Sequence, residues 1–470
     1  MHCAKSFSAC VRARRVVVLL ATSLGVLIAQ VDTSVVSLAV KRIGADLGST
    51  VSDLQWIIDA YNLVYAALLL TGGALGDLYG RKRIFIVGVW LFAAGSVMCT
   101  IAPSTPVLLA GRALSGLGAA LELPMSLVLL TLAYPDAKKR QHALGLWASC
   151  NGLAFIVGPT LGGLLVDTVG WRSIFYLILP LCALALLLAH ASMEESSSPS
   201  GRHLDLRGQI AAASALGGFA FAAIEGVHQG WGSAPVFTAA LLAAAATAAF
   251  VVLERRQAGG LVPFELFRRA PFSAALSIAA LMTFGMYALL FIMPLYFQSV
   301  RGQSALAAGV HMLPLSIAFA LVSQINGRIV QLAGARLTMT AGMAAMGAGE
   351  LACALAGAQT SPCLIAMALC VVGIGLGLNT APVNSVAVAN VPRARAGTAS
   401  GLLNTGRMVG ATLGVAILGA LFAHFAGQAP SAETFLPGLR AALGTGGAAE
   451  LAGALVAARF VRRDSANPIA

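Results

Sequence analysis

The residues best placed to do chemistry in this chain are charges set inside long apolar runs. Asp32 stands in the run 16–40, Asp59 in one that begins near Leu54, and Arg112 and Glu122 in one that begins near Pro106. A charge within such a run is costly and marks a site by default. Counting inward from the run ends at 1.5 Å per residue puts Asp32 about 12 Å deep, Arg112 about 9 Å and Asp59 about 8 Å, one shared level. Two carboxylates beside one guanidinium can bind and release a proton. Burial and like charge favour the neutral acid, the arginine favours the anion, and a change of solvent access tips the balance. A fixed ion pair between helices is the alternative. Glu122, deeper in its run, is expected as a second proton carrier or as a counter-charge for cationic substrates. Glu225, Glu350, Glu450 and His311 stand near helix ends, in weaker spans or alone, and are expected to be structural.

The elements that position these charges follow from composition. Of 470 residues, 58% are hydrophobic and 10% charged, far below the roughly one-quarter charged share of a soluble domain. A membrane span needs about twenty apolar residues, and such stretches recur from end to end. We expect fourteen, beginning near Val16, Leu54, Ile84, Pro106, His142, Ile174, Arg207, Pro235, Pro271, Ala305, Ala335, Ser361, Thr398 and Gly438. The run after Arg12, Arg14 and Arg15 is too long for a cleaved signal segment. The eight cysteines are scattered without metal-ligand or disulfide spacing, and no cofactor or metal is expected.

The net charge of +12 suggests a nucleic-acid partner until its distribution is read. Arg81, Lys82 and Arg83, then Lys138, Lys139 and Arg140, and later Arg255, Arg256, Arg268, Arg269, Arg328, Arg336, Arg393, Arg395, Arg462 and Arg463 fall between alternate spans, whereas the other side holds few basic residues. That asymmetry places both termini in the cytoplasm and accounts for the charge without nucleic acid. The expected partner on this reading is the bilayer.

Repetition gives the domain plan. Val157-Gly-Pro-Thr-Leu-Gly162 recurs as Val409-Gly-Ala-Thr-Leu-Gly414, and the pair Gly73 and Gly80 recurs as Gly327 and Gly334. Both repeats are offset by about 250 residues, the mark of a duplication. The shift equals eight spans, so a six-helix unit carries two additional helices between its copies. We expect a first six-helix bundle at 1–192, a Ser- and Pro-rich cytoplasmic linker at 193–206, two extra helices at 207–254 and a second bundle at 255–470.

Two motifs bear on mechanism. Gly73-Ala-Leu-Gly-Asp77-Leu-Tyr-Gly80-Arg81-Lys82-Arg83 combines turn-forming glycines with an aspartate able to latch onto an arginine or a helix N-terminus. Gly158-Pro159-Thr-Leu-Gly162-Gly163 allows close helix approach and removes one helical hydrogen bond; a structural kink is its plainer reading. The first motif resembles the cytoplasmic loop signature of the major facilitator superfamily, and the second resembles the signature of its antiporter branch. With Val31-Asp32-Thr33, Gln55-Trp56, Tyr61, Arg112 with Gly116 and Gly118, and Trp171-Arg172-Ser-Ile-Phe175, almost the whole chain resembles the fourteen-span drug:proton antiporter family. Departures are Ile178, Glu122 and Met408 after Arg407.

The resemblance implies an all-α membrane protein of the major facilitator fold, two six-helix bundles plus two extra helices. It also implies roles in proton coupling and substrate binding for Asp32 and Arg112, with protons and an amphipathic small molecule as partners and the chain a monomer. The expected function is proton-driven export of drug-like compounds across the cytoplasmic membrane by alternating access; a dedicated exporter of one antibiotic or metabolite is the alternative. Trp56, Tyr61, Phe155, Phe291, Asn151, Asn379 and Asn384 are candidates for the substrate cavity. An ATP-driven pump would need a phosphate-cradling Gly-x-x-x-x-Gly-Lys-Ser/Thr loop, and an enzyme a metal or nucleophile constellation. Neither pattern occurs in the sequence.

Overall fold

In a computed structural model of the chain, residues 2–198, 205–256, 264–391, 396–427 and 431–461 are described, with side chains from Ala13 onward except those of Ala137, Asn151, Ala396 and Ala432. Among the described residues every regular element is a helix. These are α1 (His2–Leu47), α2 (Val51–Tyr79), α3 (Arg81–Thr100), α4 (Thr105–Ala133), α5 (Ala137–Thr168), α6 (Ser173–Ser192), α7 (Leu206–Gln229), α8 (Ala234–Arg256), α9 (Ala270–Ser299), α10 (Ala305–Ala354), α11 (Pro362–Ala389), α12 (Ala396–Leu413), α13 (Gly419–Ala426) and α14 (Ala432–Phe460). A π-helical segment, Gly414–Leu418, joins α12 to α13. Among the described residues thirteen helices are long and apolar enough to cross a membrane.

The sequence suggested a new span near Ala335, whereas α10 runs on through that point for 50 residues. Unbroken, it would be about 75 Å long, more than twice the roughly 30 Å hydrocarbon core of a bilayer. Gly334 resolves the difference: its φ of 79° and ψ of 157° lie outside the helical region. The arms before and after it lie along the same stretch of α11. Gly373 and Gly377 of α11 meet Leu315 and Val322 of the first arm, and Gly375 between them meets Gly342 and Met346 of the second. The chain therefore reverses at Gly334. Its repeat counterpart, Gly80, has a φ of 110° and separates α2 from α3.

The repeated glycine motifs also occupy matching places. Gly158 and Gly162 of α5 lie against Ser34 and Val35 of α1, and Gly410 of α12 and Gly414 at the start of the π-helical segment lie against Ala280 and Phe284 of α9. Small residues draw backbones together where no hydrophobic force between helices exists in lipid. Helices α7 and α8 form a hairpin on the outside of α2 and α13. The α7 face is held to α2 by Gln209, which bonds Ala67 O and the Thr71 hydroxyl, and by Trp56 Nε1 donating to Glu225 Oε1 at 2.9 Å.

The segment expected to begin a flexible linker is fastened instead. The Glu195 carboxylate accepts from the backbone N–H groups of Lys82 and Arg83, both at 3.1 Å, capping the N-terminus of α3. Arg81 N donates to Ser196 O and Ser198 N donates to Asp77 O, each at 2.9 Å. Residues 199–204, with Arg202, and the expected basic positions Arg393, Arg395, Arg462 and Arg463 lie outside the described residues.

Candidate functional site

Asp32 and Arg112 form an ion pair with almost no exposure, 2% and 1% respectively. Arg112 Nη1 donates to Asp32 Oδ2 at 2.5 Å, and its Nε donates to Ile57 O at 3.0 Å. The guanidinium carbon stands 4.7 Å from the centroid of Tyr61, whose ring in turn meets Phe92 edge-on. Helices α1, α2 and α4 thus converge on one charge pair. Removing either partner would strand the other in an apolar interior.

Asp59 does not join this pair, contrary to the expectation of two carboxylates at one guanidinium. Ile57 and Tyr61, four residues apart, face Arg112, and Asp59 falls roughly opposite them at about 100° per residue. It shares its own face with Gln55 and Asn62, at spacings of four and three residues. All three are buried; the Asn62 amide stands beside the Asp59 carboxylate, and the Gln55 amide has no hydrogen-bond partner among the described residues. Gln55 abuts Gly419 of α13, so this polar stripe looks toward the other half of the molecule. Glu122 is fully buried, and among the described residues neither of its oxygens has a hydrogen-bond partner. It lies against Gly88 of α3 and within electrostatic reach of Tyr61, Tyr65 and Cys182.

The loop signature is held locally: Arg81 reaches back four residues to Asp77 Oδ1, at 2.8 Å from Nη2 and 3.1 Å from Nε. At Gly80 any Cβ would meet the Glu195 carboxylate. The α5 signature lies between α1 and α10. On one side it touches α1; on the other, Gly163 lies against the Ala305–Leu306 backbone and Gly309 of α10 against the Pro159 carbonyl. The same seam continues through the Phe155–Phe319 ring contact to Gly152 and Ala320, whereas a Cβ at Gly145 would meet nothing within 4 Å.

A small cavity lies among four helices, lined by Ser34, Ser37 and Leu38 of α1, Phe155 and Pro159 of α5, Leu290 and Pro294 of α9, and Met312, Leu315 and Ser316 of α10. It has room for about one water molecule, so the halves are closed on each other here. Of the expected lining residues Phe155 is in place, and Trp56, Tyr61, Asn379 and Asn384 sit elsewhere. Trp56 faces Glu225 and Phe221 of α7, Tyr61 lies under Arg112, and Asn379 is buried against Gly342, donating to Gly375 O of its own helix. Asn384 likewise donates to Thr380 O, and the Asn151 side chain lies outside those described.

Above the cavity the halves are tied by polar contacts. The Asp167 carboxylate at the end of α5 accepts from Ala305 N at 3.1 Å and Leu306 N at 2.8 Å, capping the N-terminus of α10. Lys41 Nζ donates to Gln298 O at 2.6 Å, and Gln298 Nε2 donates to Leu38 O at 3.0 Å.

Sequence reasoning noticed Arg407 only for its neighbour. Its guanidinium donates to Asn404 Oδ1 at 3.3 Å and to Thr380 O at 3.4 Å, and it lies within electrostatic reach of Tyr65 in the first half and Tyr287 in the second. Among the described residues no carboxylate pairs with it. A lone arginine well inside the span beginning near Thr398 carried the same signal that singled out Arg112.

Residues 22–415 match the model of the Major Facilitator Superfamily. The chain is 38% identical over 406 residues to the Multidrug resistance protein Stp of Mycobacterium tuberculosis (strain CDC 1551 / Oshkosh), covering 86% of this chain and 75% of that protein. It is 33% identical to the Methylenomycin A resistance protein of Streptomyces coelicolor, covering 85% and 84% of the two. It is 32% identical to the Tetracenomycin C resistance and export protein of Streptomyces glaucescens, covering 87% and 76%. Among solved structures, the nucleoside transporter NupG superposes with a TM-score of 0.69 over 96% of this chain and all of the other at 9% identity. The peptide transporter POT in complex with sulfate superposes with a TM-score of 0.69 over 94% and 93% at 16% identity. At these identities the two structures speak to the fold.

Proposed function

Because the chain belongs to the major facilitator superfamily, we propose that it is a proton-driven exporter of amphipathic drug-like molecules that works by alternating access. The relatives named for drug resistance and export support the cargo class. The observation that carries the mechanism is the sealed Asp32–Arg112 pair, one turn from the serines of α1 that line the cavity between the halves.

In this reading protonation of Asp32 releases Arg112 from its counter-charge, and a change in which face the cavity opens to returns the proton to the other side. Asp59, facing α13, and Glu122, behind Tyr61, are the further carboxyls available to the cycle. The seam of Gly158, Gly162, Gly163 and Gly309 is the surface on which the halves rock, and the Asp77–Arg81 loop with its Glu195 cap is the inner latch. Counting the arms of α10 separately gives fourteen crossings, in two six-helix bundles with α7 and α8 as the additional pair. Both termini are then cytoplasmic, and the Asp167, Lys41 and Gln298 contacts lie on the outer side, so the structure is closed outward. The protein acts as a monomer in the cytoplasmic membrane.

The test is efflux from energised cells expressing the chain, using ethidium, a neutral antibiotic and an anionic dye, with and without a protonophore. Export of several unrelated compounds that collapses with the protonophore is expected. Export of one compound alone would favour a dedicated antibiotic or metabolite exporter, and protonophore-resistant export would refute the energy source.

A further inference from the structure

Two glutamates left out of this cycle meet in the second half. The second arm of α10 carries Gly347-Ala-Gly-Glu350 and α14 carries Gly447-Ala-Ala-Glu450, the same spacing from glycine to acid. The two helices cross at these glycines: a Cβ at Gly347 would meet Gly447 O, and one at Gly447 would meet Gly347 O. Met343 faces Gly453 and Leu351 faces Gly447, so they run antiparallel.

A helical side chain leans toward its own N-terminus. In antiparallel helices the two acids, each one turn past its glycine, therefore lean toward each other across the glycine crossing. They converge beside Gly285 of α9: Glu450 Oε1 stands 2.6 Å, and the two Glu350 oxygens 2.8 and 2.9 Å, from the point a Cβ there would occupy. Gly285 follows Asp32 by the same offset of about 250 residues that relates the repeats. The second half thus has its acids on the two helices packed around the position where the first half has its own.

Both side chains are fully buried, and among the described residues none of their four oxygens has a hydrogen-bond partner. Among the described residues no lysine, arginine or histidine forms an ion pair with either. The titratable group in electrostatic reach is Cys353, one turn beyond Glu350 on α10; on α9, Tyr287 is turned instead toward Arg407. Two bare anions at this distance in an apolar interior repel strongly, and a proton held between them removes that repulsion. A metal ion would demand more oxygens than the small and apolar surroundings supply.

We propose that Glu350 and Glu450 form a second proton-binding site, separate from Asp32, which holds one shared, exchangeable proton behind α9. Leu290 and Pro294 of that helix line the cavity, so the charge state of the pair acts on the wall of the transport path from its far side. Its part in a transport cycle rests on the proton-driven reading above; its chemistry does not.

The test counts protons released by the purified full-length chain in detergent on an alkaline pH jump, read with a pH dye. The wild type is compared with E350Q, E450Q and E350Q/E450Q, each in the native and the D32N background, without substrate. Wild type is expected to release about one proton more per chain than E350Q/E450Q, and the difference is expected to persist in D32N. Each single variant, left with one acid and no like charge beside it, should release its proton over a different pH range from the wild type. Glutamine keeps the side-chain shape and removes the repulsion, so the variants are expected to remain monodisperse on size exclusion. Equal release from wild type and double variant, disappearance of the difference in D32N, or displacement of the proton by sodium would overturn the site. Failure of proton-driven export would refute the previous subsection and leave this count decisive for the pair.

Discussion

Arg112 is satisfied from two directions, by the Asp32 carboxylate and by the Ile57 carbonyl, and that geometry makes its substitutions informative. Arg112→Ala is expected to cost about 3–5 kcal/mol by leaving Asp32 buried and unpaired, read as a lower midpoint of thermal unfolding in detergent. The double variant D32N/R112A should recover part of that loss, and full additivity of the two single effects would argue against the pair. Asp32 and Arg112 were legible in the sequence because a charge inside an apolar run needs no tertiary information to be noticed. Asp59 was placed wrongly for a matching reason: depth along a helix was counted, but its face was not, and Asp59 lies opposite the Ile57 and Tyr61 side that meets Arg112. Glu350 and Glu450 were set aside because a sequence shows neither the crossing of α10 with α14 nor the absence of a cation beside them.

At the scale of the element, glycine decides how closely helices approach. Gly309 lies on the Pro159 carbonyl and Gly163 on the backbone at Leu306, so a side chain at either position must part the halves. Gly309→Val is expected to leave the protein monodisperse while lowering ethidium efflux at least about tenfold, equivalent to about 1.4 kcal/mol on the rate-limiting step; unchanged efflux would remove this seam from the moving interface. Glu195→Ala removes the cap of α3 and should cost about 1 kcal/mol, seen as earlier proteolysis in the segment 193–198. The glycine repeats announced the matching of α5 with α12 and of Gly80 with Gly334 before any coordinates. The fastening of 193–198 was not legible, because Ser- and Pro-rich composition describes a linker's freedom when nothing binds it, whereas Glu195 finds the free N–H groups of α3.

For the whole molecule, the ties at Asp167, Lys41 and Gln298 hold one end shut, while the α5–α10 contact fades below Gly152 and Ala320. Asp167→Ala, which frees the N-terminus of α10, is expected to raise labelling of a cysteine introduced at Leu38 by an impermeant reagent added from outside; unchanged labelling would place the closing contacts elsewhere. Composition alone fixed the membrane class, and hydropathy the succession of spans, since every span must be apolar along its length. Of the cavity only Phe155 was legible: its other walls, from Ser34, Ser37, Pro159, Pro294 and Met312, come from four helices that touch only in the folded bundle, and Trp56, Tyr61 and Asn379, expected there, meet neighbouring helices instead. The most direct test of the account is the simultaneous measurement of ethidium and proton flux in proteoliposomes under an imposed pH gradient, for the wild type and Asp32→Asn. Gradient-dependent ethidium movement with opposing proton flux in the wild type, and loss of both in Asp32→Asn, is the predicted result; coupled fluxes of equal size in the two proteins would contradict it.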